Sequence, residues 1–187
     1  MRIIAGEARG RRLFAPEGDE TRPTSDRVRE ALFNIIRGDV PGARALDLFA
    51  GSGALGLEAI SRGAESAVFC DASKKAVAAV KRNIDLMRCA DRTRVIQGDW
   101  RSALTGRYSL VFIDPPYRLT DVYAQAADAL ISGGHLTDDA LIVMERAADR
   151  PIENLSGRFE IVDERKYRDT ALTFVRIKQT EKGGGDA

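Results

Sequence analysis

Cysteine and histidine are scarce in this chain: Cys70 and Cys89 are the only two of the first, and His135 is the only one of the second. A disulfide framework, a zinc cluster and a Ser-His-Asp triad each need more of these residues, so all three are excluded and no metal site is assigned. Both cysteines read as small apolar packing residues. Long apolar runs are also missing. None approaches the ~18 residues of a membrane span, and the N-terminus meets a charge before any signal-peptide core could form. The expectation is a cytoplasmic protein with no membrane partner. No second apolar face is evident, so a monomer is expected.

Charge of one sign is lacking too, with 29 Lys+Arg against 28 Asp+Glu in 187 residues. A net charge of +1 gives no sign of nucleic-acid binding, so its distribution matters more than its sum. Residues 1–16 hold Arg2, Arg9, Arg11 and Arg12 against Glu7 alone. With 44% hydrophobic and 30% charged residues, the chain has the makings of one α/β-sized domain and no room for a second of equal size.

From about residue 43, short β-branched or apolar runs alternate with helical patterns, the signature of a parallel sheet covered by crossover helices. Strands are predicted at 45–49, 67–70, 94–97, 110–113 and 141–144, with helices near 54–62, 74–88 and 121–132. In the second helix Ala76, Val77, Val80, Ile84 and Met87 share one face. Two further strands, 159–166 and 171–178, are joined by Tyr167-Arg168-Asp169-Thr170, which is too short for a parallel crossover and predicts an antiparallel hairpin. Ahead of this core, residues 1–16 read as a basic strand or hairpin and 17–20 as a polar loop. Thr24 or Ser25 can then cap a helix whose apolar face is Val28, Ala31, Leu32, Ile35 and Ile36. Gly38 and Pro41-Gly42 end it. The predicted organisation is an N-terminal basic extension and helix for substrate binding (1–40), a catalytic domain (41–180) and a disordered tail (181–187).

The first core strand runs into Asp47-Leu48-Phe49-Ala50-Gly51-Ser52-Gly53-Ala54-Leu55-Gly56, so Gly51, Gly53 and Gly56 keep G-x-G-x-x-G spacing between a strand and a helix. Asp71, twenty residues beyond Gly51, ends the second strand, where a carboxylate can accept hydrogen bonds from both ribose hydroxyls of an adenosine. Loop and carboxylate alone do not choose between a dinucleotide and S-adenosylmethionine. A dehydrogenase, however, would need a further substrate domain for which this chain has no room. The fourth strand ends in Asp114-Pro115-Pro116-Tyr117. Consecutive prolines fix two φ angles, push Asp114 into an extended conformation and remove N–H donors, which leaves a rigid shelf of acceptors. The Asp114 carboxylate and the Pro115 carbonyl can each take one N–H of an amino group, while Tyr117 supplies a ring for a base to stack on. The motif resembles the Asp/Asn-Pro-Pro-Tyr/Phe motif of methyltransferases acting on exocyclic amino groups. Gly98-Asp99-Trp100 follows the third strand; Trp100 either covers an adenine or closes the core.

Taken with Arg2-Ile3-Ile4-Ala5-Gly6, Gly10-Arg11-Arg12-Leu13, Arg22-Pro23-Thr24 and Asp26-Arg27-Val28-Arg29-Glu30-Ala31-Leu32-Phe33-Asn34, these motifs resemble the RsmD family, the 16S ribosomal RNA guanine-N2 methyltransferases. The resemblance covers nearly the whole chain. It implies a Rossmann-like, seven-stranded, mostly parallel sheet with an antiparallel last strand and a short N-terminal β/helix extension. It also implies methyl transfer from S-adenosylmethionine to a guanine of 16S rRNA, position 966 in ribosomal numbering, in the 30S subunit or a late assembly intermediate. On the matching positions, Asp47, Phe49, Ala50, Gly51, Gly53, Asp71, Ala72, Asp99, Trp100 and Thr24 would hold the cofactor. Asp114, Pro115, Pro116 and Tyr117 would hold the base, and Arg2, Arg9, Arg11, Arg12 and Arg22 would grip phosphates. Arg22 and Thr24 can equally be read as the start of a helix. DNA amino-methylation remains open, because the same shelf serves adenine and cytosine in DNA enzymes. Cytosine C5 methylation needs an attacking thiolate, and neither cysteine lies in a Pro-Cys context or at the fourth strand. A non-catalytic assembly factor and a nicotinamide-dependent oxidoreductase are the remaining alternatives.

Overall fold

The computed structural model describes residues 1–16, 26–116 and 118–179. The polar loop at 17–20, the residues Arg22, Thr24 and Ser25, Tyr117, expected to stack on a base, and the tail 181–187 lie outside them.

Seven strands form a single sheet: β1 (Arg44–Asp47), β2 (Ser66–Asp71), β3 (Thr93–Gln97), β4 (Tyr108–Ile113), β5 (Leu136–Ala147), β6 (Phe159–Tyr167) and β7 (Thr170–Ile177). Their order is β3-β2-β1-β4-β5-β7-β6. The first five pair in parallel, and β7 inserts antiparallel between β5 and β6, as the short Tyr167–Thr170 link requires. Arg168 makes the turn at φ 53°. The helices are α1 (Asp26–Ile35), α2 (Ala54–Ser61), α3 (Lys74–Met87) and α4 (Val122–Ser132). Alternation along the strands sorts the interior into two layers. Leu110, Phe112, Leu141 and Val143 pack with α1, α2 and α3, whereas Val111, Ile113, Ile142 and Met144 pack with α4 and the 3-10 turn Trp100–Ala103.

Element bounds follow the sequence reading closely except in two places. β1 stops at Asp47 rather than residue 49: the Leu48 N–H makes its last rung with the Phe112 carbonyl at 3.1 Å, and the chain then turns into the glycine loop with the Ala50 N–H on the Cys70 carbonyl at 2.9 Å. β5 is three times its predicted length: Leu136 at its start pairs with Tyr108 of β4, and Glu145 to Ala147 at its end pair with β7, neither of which local hydrophobicity can foresee. On α1, Ile35 is exposed at 37%; Arg29 and Phe33 are fully buried in its stead.

The N-terminal residues form the expected hairpin, with an Arg2–Arg12 bridge, and Ile3 and Leu13 join the same buried cluster as Val28, Leu57 and Ile60. Buried polar residues fasten it. Glu58 on α2, wholly inaccessible, accepts the Ile4 and Ala5 N–H groups at 2.7 and 3.0 Å and pairs with Arg62 at 2.7 Å. The buried Arg29 guanidinium lies 3.9 Å from the same carboxylate and 3.0 Å from Asp26, and it also donates to the Arg2 carbonyl. Gly6, at φ 84°, sits so close to the end of α2 that a Cβ would fall 1.8 Å from the Ser61 carbonyl oxygen. Asn83 on α3 accepts from Phe14 N–H at 2.8 Å and donates to the Phe14 and Ser52 carbonyls at 2.9 and 2.8 Å.

Removing one member of a buried ion pair strands the other. Glu58→Ala is therefore expected to lower stability by about 3–5 kcal/mol in urea denaturation. The Ile4 and Ala5 amides should lose hydrogen-exchange protection beyond the global change.

Candidate active site at the carboxyl ends of the strands

The strand order reverses between β1 and β4, because the chain leaves β1 through α2 on one face and leaves β4 toward α4 on the other. Crossovers on opposite faces open a crevice at the carboxyl ends of those two strands. Asp47 ends β1 and Asp71 ends β2; Asp99 follows β3, and Asp114 follows β4. The structure thus brings together the carboxylates that the sequence spaced 67 residues apart along the chain.

Asp47 is buried. One of its oxygens accepts the Gly56 N–H at 3.2 Å, and the other, though the Phe49 N–H lies near the carboxyl, has no partner of hydrogen-bond geometry among the described residues. Burial chiefly, then the charge of Asp71, pushes its carboxyl up to about 7 against the pull of the Gly56 hydrogen bond. The loop above it separates its glycines by role. Gly51, at φ 54°, has open space where a side chain would stand, and its N–H donates to Asp71 at 2.9 Å. Gly53, at φ 79°, faces Leu57, Phe69 and Val80, and a Cβ on Gly56 would strike Phe69 at 2.3 Å. The first glycine therefore leaves a cradle, and the later two let α2 lie against β2. The other oxygen of Asp71 accepts from Ser73 N–H at 2.8 Å, which fixes the carboxylate with a lone pair on each oxygen still available to a ligand. Ala72, beside it, is exposed.

Asp99 caps the 3-10 turn by accepting from Arg101 N–H at 3.0 Å, with its side chain 57% exposed. Trp100 takes the core-closing one of its two readings: it is buried among Leu46, Ala103 and Val111, with the Arg101 guanidinium 4.3 Å from its ring centroid. Cys70 points at the Gly98 and Asp99 carbonyls, and burial first, then Asp71, Asp99 and Asp47, raises its thiol to about 11. Burial also raises the Cys89 thiol. Both are packing residues, and neither is poised as a nucleophile. His135 lies at the opposite edge of the sheet, where its Nδ1 meets the Gly106 carbonyl at 2.8 Å before β5 begins.

Asp114 stands at the crevice floor with Pro115 buried and Pro116 exposed. Burial, then the charges of Glu145 and Asp47, raises its carboxyl well above the usual range. Glu145 was not singled out from the sequence. It follows the apolar run at 141–144, and a charge directly after such a run at a strand's carboxyl end was the available signal. Of the candidate phosphate-gripping residues, Arg9 and Arg12 are exposed, Arg2 pairs with Asp26 at 3.4 Å and Arg11 donates to the Leu86 carbonyl. Arg82 of α3 adds to this surface, its guanidinium 3.3 Å from the centroid of the half-exposed Phe14 ring.

An open doubly wound sheet with this order, a glycine cradle at the switch point and an acceptor shelf on the facing strand define a Rossmann-like methyltransferase fold. The family model described as Conserved hypothetical protein 95 matches residues 1–176, and the chain belongs to that family, that of the RsmD proteins. Ribosomal RNA small subunit methyltransferase D of Escherichia coli is 35% identical over 98% of this chain and 92% of its own. The protein of the same name from Haemophilus influenzae is 35% identical over 81% of each. A solved Escherichia coli chain described as a methyltransferase, yhhF, superposes with a TM-score of 0.84 at 33% identity, covering 95% of this chain and 98% of that one.

The residues present fit S-adenosylmethionine. Its methionine ammonium would compensate the unpaired Asp47 oxygen behind the glycine loop, and the space at Gly51 leaves its carbon chain room. Only ionised Asp47 attracts that ammonium, and the carboxyl is raised to about 7. Affinity for S-adenosylhomocysteine, measured by calorimetry, is thus expected to climb about tenfold per pH unit below that value and to level off above it. Asp47→Asn should flatten the profile.

Proposed function

We propose that the chain transfers a methyl group from S-adenosylmethionine to the exocyclic N2 amino group of a guanine in 16S rRNA, position 966, within the small subunit or a late assembly intermediate. The observation that carries this reading is the adjacency, in one crevice, of the Gly51 cradle over Asp47 and the Asp114-Pro115 shelf. The two small-subunit rRNA methyltransferase D relatives, one of them matching across nearly the whole chain, favour rRNA over DNA. Among the described residues no helix is long and apolar enough to cross a membrane.

When bound, the cofactor supplies an electrophilic methyl group on a sulfonium. The chain's part is to present the nucleophile. The Asp114 carboxylate and the Pro115 carbonyl each accept one N–H of the flipped-out guanine amine, which turns the nitrogen lone pair toward the methyl donor. Tyr117 stacks on the base in this scheme, and Pro116 keeps the shelf rigid. No strong base is needed, because the nitrogen becomes acidic only once methylated. Asp71 holds the ribose and Asp99 the adenine amino group. The N-terminal 40 residues bind substrate through Arg9, Arg12 and their neighbours, and the protein acts as a monomer.

Radiolabelled S-adenosylmethionine offered to unmethylated small subunits, naked rRNA and duplex DNA tests the reading. Label recovered as N2-methylguanosine from subunits is the expected result; label on DNA, or none despite cofactor binding, overturns it. Asp114→Ala is expected to bind S-adenosylhomocysteine normally and to lose about a hundredfold or more in turnover. Asp71→Ala should instead weaken the cofactor about tenfold, with turnover recovered at saturation.

A further inference from the structure

The arginine-rich hairpin lies beside a second basic surface, on α3. That helix buries Ala76, Val77, Val80, Asn83 and Ile84 against the core, and its other face carries Lys74, Lys75, Lys81 and Arg82, all exposed, with Arg88 exposed at its end. Asp85 is the only acid among residues 74–88. Residues 1–16 and 74–88 together hold nine of the 29 basic residues and two of the 28 acids, which leaves the rest of the chain net negative. Attraction for a polyanion is therefore concentrated on these two segments.

The two segments are joined. Arg11 donates to the Leu86 carbonyl, Asn83 holds both backbone groups of Phe14, and the Arg82 guanidinium lies 3.3 Å from the centroid of the Phe14 ring. The segment from Arg11 to Phe14 thus runs alongside the last turns of α3, while Glu7, the hairpin's one acid, is engaged by Arg92 at 2.5 Å. Fold stability does not account for the cations on the helix. Lys74 and Lys75 stand in its first turn, where the helix dipole disfavours positive charge. Among the described residues no carboxylate lies within ion-pair distance of any of the five, whereas Arg107 has Asp138 at 3.5 Å and Arg158 has Asp128 at 3.2 Å. Lys74, three residues beyond Asp71, marks the crevice end of this stripe, and Arg88 its far end roughly 20 Å away.

We propose that the exposed face of α3 and the hairpin beside it form one phosphate track, along which the RNA flanking the target nucleotide runs from the crevice toward the opposite edge of the sheet. Lys74, Lys75, Lys81, Arg82 and Arg88 take backbone phosphates beside Arg9 and Arg12. The identity of the partner rests on the rRNA reading above; the helix is what the structure adds. Stacking on Phe14 orders the long Arg82 side chain before RNA arrives, which cuts the entropy lost on binding. Phosphate contacts carry no sequence information. They set the position of the RNA and leave the choice of base to the crevice.

Two triple variants of the full chain separate this surface from charge in general. One is Lys75→Gln, Lys81→Gln, Arg82→Gln. The other removes the same charge elsewhere, as Arg37→Gln, Arg44→Gln, Lys166→Gln, at exposed positions outside the track. Binding to unmethylated small subunits is measured across about 0.05–0.2 M salt, with affinity for S-adenosylhomocysteine followed by calorimetry. The α3 triple is expected to bind subunits about tenfold more weakly, with the slope of log affinity against log salt reduced by about 2 and cofactor affinity unchanged. Its kcat should hold while KM for subunits rises. Equal slopes for the two triples overturn the track, and so does an α3 triple that binds subunits as the wild type does. A wild type without measurable affinity for subunits overturns it together with the reading of function. Methyl transfer is scored separately: a wild type that binds subunits and labels no guanine N2 ends that reading, and the slopes still decide the track.

Discussion

The reversal of strand order between β1 and β4 is the constraint from which the rest of this molecule follows. Two adjacent parallel strands whose crossovers go to opposite faces cannot close the space at their carboxyl ends. The gap is therefore a property of the topology, and sequence decides only what lines it. Asp47, Asp71, Asp99 and Asp114 are the last residues of their strands or lie within two residues beyond them. The apolar body of the sheet below them supplies the stability that a crevice edged by carboxylates spends. Asp47 is where that expense is greatest, with one buried oxygen left without a hydrogen bond.

Carboxylates in the interior and at its edge receive opposite treatment in this fold. Glu58 is saturated: two backbone N–H groups and Arg62 hold it, with Arg29 close by, so its cost is offset within the folded chain. Asp47 and Asp114 are left raised, with neighbouring carboxylates pushing them further from ionisation. A structural carboxylate is finished when the chain folds. In the proposed function a ligand completes the second kind, and burial alone does not tell the two apart, since Glu58 and Asp47 are both buried.

Most of this architecture was legible in the sequence because the signals were local. Helices α1 and α3 have their apolar period, the parallel strands their short β-branched or apolar runs, and the Tyr167–Thr170 link is too short for anything but a hairpin. The glycine spacing and the Asp114-Pro115-Pro116 run are likewise contiguous, so their chemistry could be read before their geometry. What escaped was non-local. The extent of β5 depends on Tyr108 of β4 at one end and on β7 at the other. Asn83 sits on the apolar face of α3 and reads there as a flaw in the stripe, yet it joins the hairpin and the glycine loop. Glu145 comes next to Asp114 in register only because Ile113 pairs with Met144. Arg29 and Glu58, on different helices, have no pattern linking them until the fold brings them within 3.9 Å.

The position of Asn83 has a further consequence for how the two ends of the proposed substrate path are joined. One amide fixes Phe14 through both of its backbone groups and the Ser52 carbonyl within the glycine loop. Phe14 in turn lies under Arg82, next to a hairpin that carries exposed arginines. Any displacement of the hairpin by RNA phosphates would pull on the same side chain that holds the loop between Gly51 and Gly53. Fastening at Glu58 and Gly6 opposes such displacement at the hairpin's other flank. The hairpin is thus pinned at both sides to the helices that flank the glycine loop. A basic surface fixed in this way presents its charges at a constant distance from the crevice, which a flexible arm of the same composition could not do. If the hairpin binds RNA as proposed, its four arginines in sixteen residues owe that use to rigidity rather than to number.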